Sequence, residues 1–162
     1  MMHESMYSGI TEQLLFANTK YERMDMSFLV KISSIDYGEK HRVIIVGFKK
    51  KIAEEKLNAT QQLLRTGYGI MLSTVWNSLL ICILPEKMIL LDKIKELYHF
   101  LEKQQGDLKL AGSTIKLKLE DSHIGLQEAI RTYDMIDSMK KYDENIMFYE
   151  DLGIFGLLYD LN

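Results

Sequence analysis

The chain has 162 residues, 47% hydrophobic and 27% charged, with 10 Gly, 1 Pro and 1 Cys, which fits one ordinary domain, or one domain with a helical appendage, and leaves enough apolar material for a sizeable core. Lys and Arg number 20 against 23 Asp and Glu, a net charge of −3, so there is no broad attraction to nucleic acid or anionic lipid and a DNA-binding role for this chain alone starts at a disadvantage. The lone Cys82 excludes an internal disulfide and points to a reducing, cytoplasmic setting.

The N-terminus, Met1-Met2-His3-Glu4-Ser5, has no basic region leading into an apolar stretch, and the longest apolar run, Leu79 to Leu84, is strand-sized, far short of the roughly 18 residues of a membrane span. After this polar stub, Ile10, Leu14, Ala17, Tyr21, Met24 and Phe28 alternate at spacings of four and three. The spacing predicts one amphipathic helix over 10–28 with a heptad-like stripe, which either packs on its own domain or forms a dimer seam.

Asp36-Tyr37-Gly38-Glu39 reads as a turn into Arg42-Val43-Ile44-Ile45-Val46-Gly47-Phe48, a β-branched run apolar on both faces and therefore a central, covered strand. Residues 52–66 carry Ala53, Leu57, Thr60 and Leu64 along one helical face and end at Gly67 as a C-cap. Two strands follow, Ile70 to Val75 and Leu79 to Leu84, separated only by Trp76-Asn77-Ser78, a gap short enough to demand an antiparallel hairpin. A helix over 89–104 presents Leu90, Ile94, Leu97 and Leu101, and a linker with Gly106 and Gly112 leads to Thr114-Ile115-Lys116-Leu117-Lys118-Leu119-Glu120. That last stretch alternates strictly and reads as an edge strand with one wet face.

The resulting order, βαββαβ, predicts an α/β (α+β) chain with a ferredoxin-like antiparallel sheet, first and third strands central, second and fourth at the edges. Beyond it come an amphipathic helix over 125–141, a short fifth strand Ile146-Met147-Phe148-Tyr149, and a helical turn or two from Gly153 to Leu161.

Chemistry is sparse. His3, His41, His99 and His123 sit in four different elements with no ligand partner at helical spacing, so no metal site is expected. Cys82 lies mid-strand, where a buried inert thiol is the natural reading. Phosphate-cradling glycines are missing: Gly47 is followed by Phe48 and then Lys49, Lys50 and Lys51, a solvated turn. Asn58-Ala59-Thr60 matches a glycosylation sequon inside a helix of a chain without a secretion signal, and is treated as chance. Stacking aromatics for RNA are limited to Phe48 on the two central strands. No catalytic residue, metal ligand or cofactor is assigned.

Three stretches resemble the GGDEF-like central domain of the PucR/CdaR family of bacterial transcription regulators. Phe28 to Asp36 leading to His41-Arg42-Val43-Ile44-Ile45-Val46 is similar to that family's short helix and first strand. Gly125-Leu126-Gln127-Glu128-Ala129-Ile130 resembles its "SYREA" helix start, with the Ser-Tyr-Arg part replaced. Most specific is Ile146-Met147-Phe148-Tyr149-Glu150-Asp151-Leu152-Gly153-Ile154-Phe155-Gly156-Leu157-Leu158, close to the family's "yeDLGlyrLL" segment. The resemblance implies a fold related to GGDEF nucleotidyl cyclases. Cyclases need an acid at the end of the first strand and a Gly-Gly-Asp/Glu-Glu-Phe hairpin turn for metal and substrate. Residues 42–51 contain no acid here and the hairpin reads Ser73-Thr74-Val75-Trp76-Asn77-Ser78-Leu79, so the domain is expected to be degenerate and non-catalytic.

What the resemblance implies is a regulatory domain, residues 37–162, preceded by the stub and helix of 1–36. It would couple an upstream sensor to a downstream helix-turn-helix module as a homodimer. In the family that module follows the Asp-Leu-Gly segment, so DNA contact would come only through a part not present in this chain. A small-molecule effector fits this scheme, whereas a membrane does not. The positions singled out are Trp76, Asn77 and Ser78 at the hairpin tip, as a ligand or partner contact or as plain core, and Tyr149, Glu150, Asp151, Leu152 and Gly153 in the family-like segment. The alternatives are a nucleotide-handling enzyme using Asp121, Ser122 and His123, or a stand-alone small-molecule sensor with a cleft beside the hairpin.

Overall fold

A computed structural model of the chain describes residues 4–33, 35–138 and 145–153. Its ten main elements are α1 (Glu4–Phe16), α2 (Lys20–Ile32), β1 (Arg42–Phe48), α3 (Glu54–Tyr68), β2 (Leu72–Trp76), β3 (Leu79–Leu84), α4 (Leu91–Gln105), β4 (Leu108–Gly112), α5 (Ser122–Ser138) and β5 (Ile146–Phe148). The strands form one mixed sheet in the order β2-β3-β1-β4-β5. β1 pairs antiparallel with β3 (Ile44 opposite Cys82) and with β4 (Val46 opposite Leu110). β2 pairs antiparallel with β3, and β5 adds in parallel to β4.

Helices cover both faces, which explains why β1 and β3 are apolar without alternation. On one face Ile44, Val46, Leu80, Cys82 and Leu84 pack with Leu64 of α3, Ile94, Leu97 and Leu101 of α4, and Phe148 of β5. On the other, Val43, Ile45, Ile81 and Ile83 meet Ile10, Leu14 and Leu15 of α1, Val30 of α2, and Leu126 and Ala129 of α5. The fold is therefore a three-layer α/β/α arrangement in which α1 is part of the core. Tyr37, buried, ties the hairpin to the preceding loop: its hydroxyl donates to the Ile83 carbonyl and accepts from the Leu72 amide at 3.2 Å.

Four sequence expectations need correction. The helix expected over 10–28 is two helices, broken at residues 17–19. Thr19 is extended (φ −113°, ψ 147°) and its hydroxyl accepts from the Glu22 amide, an N-cap that starts a new helix. The stripe is split accordingly, with Ile10 and Leu14 in the core and Tyr21, Met24 and Phe28 exposed.

The fourth strand is Leu108–Gly112, not 114–120. In the latter segment the alternation has the opposite phase from an edge strand over a core: Ile115 and Leu117 are exposed, while Lys116 is drawn inward to the Glu128 carboxylate of α5. The same carboxylate takes the Thr114 amide at 3.0 Å and its hydroxyl at 2.7 Å, so the chain leaves the sheet, keeping one bridge, Lys116 to His41.

With β5 beside it, β4 is an inner strand and the sheet is mixed, so neither the edge position nor an all-antiparallel sheet holds. Finally, α3 runs through Gly67 and stops at Gly69, whose left-handed φ of 67° lets its amide reach the Arg65 and Leu64 carbonyls. The helical turns expected beyond Gly153 lie outside the described residues.

Gly112 lies opposite Phe148 in the β4–β5 register. A Cβ there would lie 2.6 Å from Cδ1 and 2.7 Å from Cε1 of the Phe148 ring, and that ring is itself buried. Gly112→Ala is expected to push Phe148 out of place and cost about 1–3 kcal/mol, read as a lower urea midpoint with an unchanged slope.

Candidate functional site

The chain brings two of its sequence-selected regions to opposite ends of β1. At the C-terminal end, the β1–β3 register (Val46 opposite Leu80) sets Phe48 beside the β2–β3 turn. Asn77 and Ser78 both have positive φ, 50° and 64°, the geometry of a two-residue I′ turn. Their identities are thus accounted for by the hairpin. Trp76 falls between the two readings: it is 44% exposed, with its ring tilted at 44° against Phe16 at 5.9 Å. The lysines after β1 are exposed, and no carboxylate occurs in residues 42–51 or 73–79. Thr74 donates to Glu12 of α1 at 3.2 Å, a single acid on the hairpin. Among the described residues no group of three or more metal-ligating side chains converges.

At the N-terminal end of β1, the buried Arg42 gathers three separate segments. Its Nε donates to the Ile89 carbonyl at 3.1 Å, and one terminal nitrogen donates to the Ser113 carbonyl at 2.8 Å. Both terminal nitrogens fork onto the Glu150 carboxylate, and the guanidinium lies 4.7 Å from the centre of the Phe148 ring. Planar, bidentate geometry of this kind suits Arg and not Lys.

Glu150 belongs to a single 3-10 turn, Tyr149–Asp151, that follows β5. Leu152 behind it is buried and Gly153 turns with a φ of 49°. The Arg42–Glu150 ion pair therefore ties the turn after β5 to the start of β1, alongside the β4–β5 pairing and the burial of Leu152; nothing in the spacing of the sequence singles Arg42 out. Beside this joint lies a cavity of about 430 Å³ lined by Leu91, Tyr98, Ile146 and Phe148, with Lys95 and Asp151 at the charged positions.

Asp121, Ser122 and His123 do not converge. Asp121 closes a 3-10 turn, Leu119–Asp121, and Ser122 is fully buried at the start of α5, beyond the reach of a substrate. His123 faces the Glu120 carbonyl at 3.2 Å, and partial burial, reinforced by Arg23, lowers its pKa. Ser122 pairs with another histidine: its Oγ lies 3.0 Å from Nε2 of His41 and donates to the Leu119 carbonyl at 2.6 Å.

His41 Nδ1 lies 2.9 Å from the Glu39 carbonyl. A carbonyl only accepts, so Nδ1 carries a proton and a neutral ring offers a bare Nε2. Ser122 has one hydroxyl proton for two acceptors. The three links are filled together only when the ring is protonated, and burial works against that: it lowers the His41 pKa, outweighing the Glu39 carbonyl and Asp121 that raise it. Cys82 is buried and its thiol is pushed up to about 12 by desolvation, so it is inert.

The chain matches no known family model, and no curated protein matches it. Among the described residues no helix is long and apolar enough to cross a membrane.

Two outcomes follow from this geometry. Arg42→Met, which strands Glu150 and two carbonyls, is expected to cost about 2–4 kcal/mol, and Glu150→Gln about 1 kcal/mol because that carboxylate is 43% exposed. The double mutant should be measurably less destabilised than the sum, by urea unfolding. The folded pKa of His41 lies below its ordinary 6.5, so below that pH the unfolded chain binds the proton first. Its contribution is therefore complete above pH 6.5 and is lost as pH falls toward the folded value. Stability measured from pH 8 to pH 5 should decline with a slope that His41→Asn reduces.

Proposed function

We propose that the chain is a non-catalytic regulatory domain, a degenerate GGDEF-like unit of the PucR/CdaR kind, that couples a sensor to a downstream DNA-binding module within a cytoplasmic homodimer. The strand order β2-β3-β1-β4, each neighbour antiparallel, is that of a ferredoxin-like sheet and supports the relationship to the cyclase fold. The observation that carries the regulatory reading is the Arg42–Glu150 joint. It ties the Asp-Leu-Gly-like segment, Glu150 to Gly153, to the start of the central strand through the forked Arg42–Glu150 contact. Coupling of this type needs a two-state element and no chemistry.

The end of β1 and the hairpin lack the carboxylates that two-metal phosphoryl transfer needs, and the buried Ser122 weighs against a nucleotide-handling enzyme built on Asp121, Ser122 and His123. One observation favours a second reading, a small-molecule sensor: the 430 Å³ cavity beside the joint falls in the size range of ligand sites. An effector held there would touch Phe148 and Asp151 on either side of Glu150.

With GTP and Mg²⁺ or Mn²⁺ the purified protein should release no pyrophosphate above buffer; turnover that tracks protein concentration would refute the non-catalytic reading. Hydrogen exchange addresses the relay. Glu150→Gln should speed exchange of amides in residues 146–153 while β1 and β3 stay protected, and equal protection in both proteins would show that the pair does not hold the segment.

A further inference from the structure

α2 is apolar on two sides. Ser27 and Val30 are buried toward α1 and the sheet, while Tyr21, Met24, Phe28 and Ile32 are 81%, 44%, 60% and 63% exposed. Their spacing of three, four and four keeps them on one stripe along the outward face. Scattered exposed apolar residues are ordinary, but a continuous stripe of this kind marks a contact surface. Tyr21 and Phe28 alone leave on the order of 300 Å² in water, a substantial part of the ~800 Å² per partner in a stable interface.

We propose that this stripe is the seam between two copies of the chain, α2 against α2 in parallel. The charges beside it select both the occupant and the direction. With Tyr21 and Phe28 as a positions and Met24 as d, Lys20 is a g position and Asp25 an e position, while the next d position is Lys31 and Ile32 falls at e, so the apolar seam is centred on Tyr21, Met24 and Phe28. In a parallel pair each g side chain faces the e side chain of the other helix's next heptad, so Lys20 of each copy meets Asp25 of the other, twice by symmetry. An antiparallel pair would instead bring the two Asp25 carboxylates together. Both side chains are exposed. Lys31, farther along, is already paired with Glu39 at 3.4 Å.

A helix of 13 residues is too short to associate as a free peptide. Here the helix is held in place beforehand, capped by Thr19 at its start and by the Ser33 amide on the Leu29 and Val30 carbonyls at its end. Its ordering cost is met by folding, and the stripe is presented rigid. The seam rests on the dimeric part of the reading above and specifies where that dimer forms.

Sedimentation velocity from low to high micromolar protein tests it. The wild-type chain should dimerise, and Phe28→Glu, at an exposed position, should weaken the dimer by about tenfold or more with an unchanged circular dichroism spectrum. Lys20→Asp and Asp25→Lys should each weaken it, and the double exchange should restore it. Met24→Cys should give a disulfide-linked dimer on mild oxidation, because a parallel seam sets each d position against its own copy, and buried Cys82 does not compete. The cross-link also serves should Phe28→Glu fail to fold. A monomeric wild type overturns both the seam and the dimeric reading, leaving the stripe to another partner. A dimer that Phe28→Glu leaves intact, or that Met24→Cys cannot cross-link, overturns the seam alone.

Discussion

The start of β1 depends on how a buried guanidinium is satisfied. Arg42 cannot lose its charge under any ordinary condition, so its burial is tolerable only with its donors engaged by the Ile89 and Ser113 carbonyls and the Glu150 carboxylate. These partners lie 47, 71 and 108 residues away in the chain. The turn before α4, the exit from β4 and the turn after β5 are therefore positioned by a common demand, and the parallel strand β5 is fixed against β4 as a consequence. The Phe148 ring over the guanidinium keeps water from that side, which strengthens the pairing with Glu150 at its wetter edge.

The same logic governs the segment after β4. Glu128 of α5 satisfies the Thr114 amide and hydroxyl and the Lys116 ammonium with two oxygens. A carboxylate on a helix thereby does what a neighbouring strand would have done, and the chain turns off the sheet toward α5. Ser113 completes the exit, its hydroxyl accepting from the Val43 amide at 2.9 Å while its own amide donates to the Val43 carbonyl. The end of β4 is set by side chains more than by its own ladder.

This explains which parts of the architecture were readable from sequence. β1, β3 and the hairpin were legible because continuous β-branched and aliphatic runs, with only Trp76-Asn77-Ser78 between the second and third, leave few alternatives. β4 was not: Leu108-Lys109-Leu110-Ala111-Gly112 is short and ends in glycine, whereas residues 114–120 alternate cleanly but in the wrong phase, for a reason that lies on α5. The break before α2 did carry a signal, Asn18-Thr19 with Glu22 three residues on, a capping pattern outweighed by the unbroken heptad stripe. At the site, the Glu150 to Gly153 segment was visible as a motif, but Arg42 and His41 were not, because what distinguishes them is partners distant in the chain. Trp76 could not be decided from sequence since Phe16, which covers it in part, is separated from it in the chain by α2, β1 and α3.

His41 and Arg42 are adjacent, and adjacent residues at the start of a strand point to opposite faces of the sheet. His41 accordingly reaches Ser122 at the N-terminus of α5, while Arg42 reaches Ile89 and Glu150 on the side of α4 and β5. Between these two networks the central strands are apolar from Val43 to Val46 and from Leu80 to Leu84. At this strand end two consecutive polar side chains each draw a different layer inward, as Ser73 and Thr74 do on β2 by bonding to Gln61 of α3 and Glu12 of α1. A small displacement of the backbone at residues 41 and 42 therefore strains both networks together, and neither can relax without the other, because the peptide between them is planar and its strand is locked on both sides.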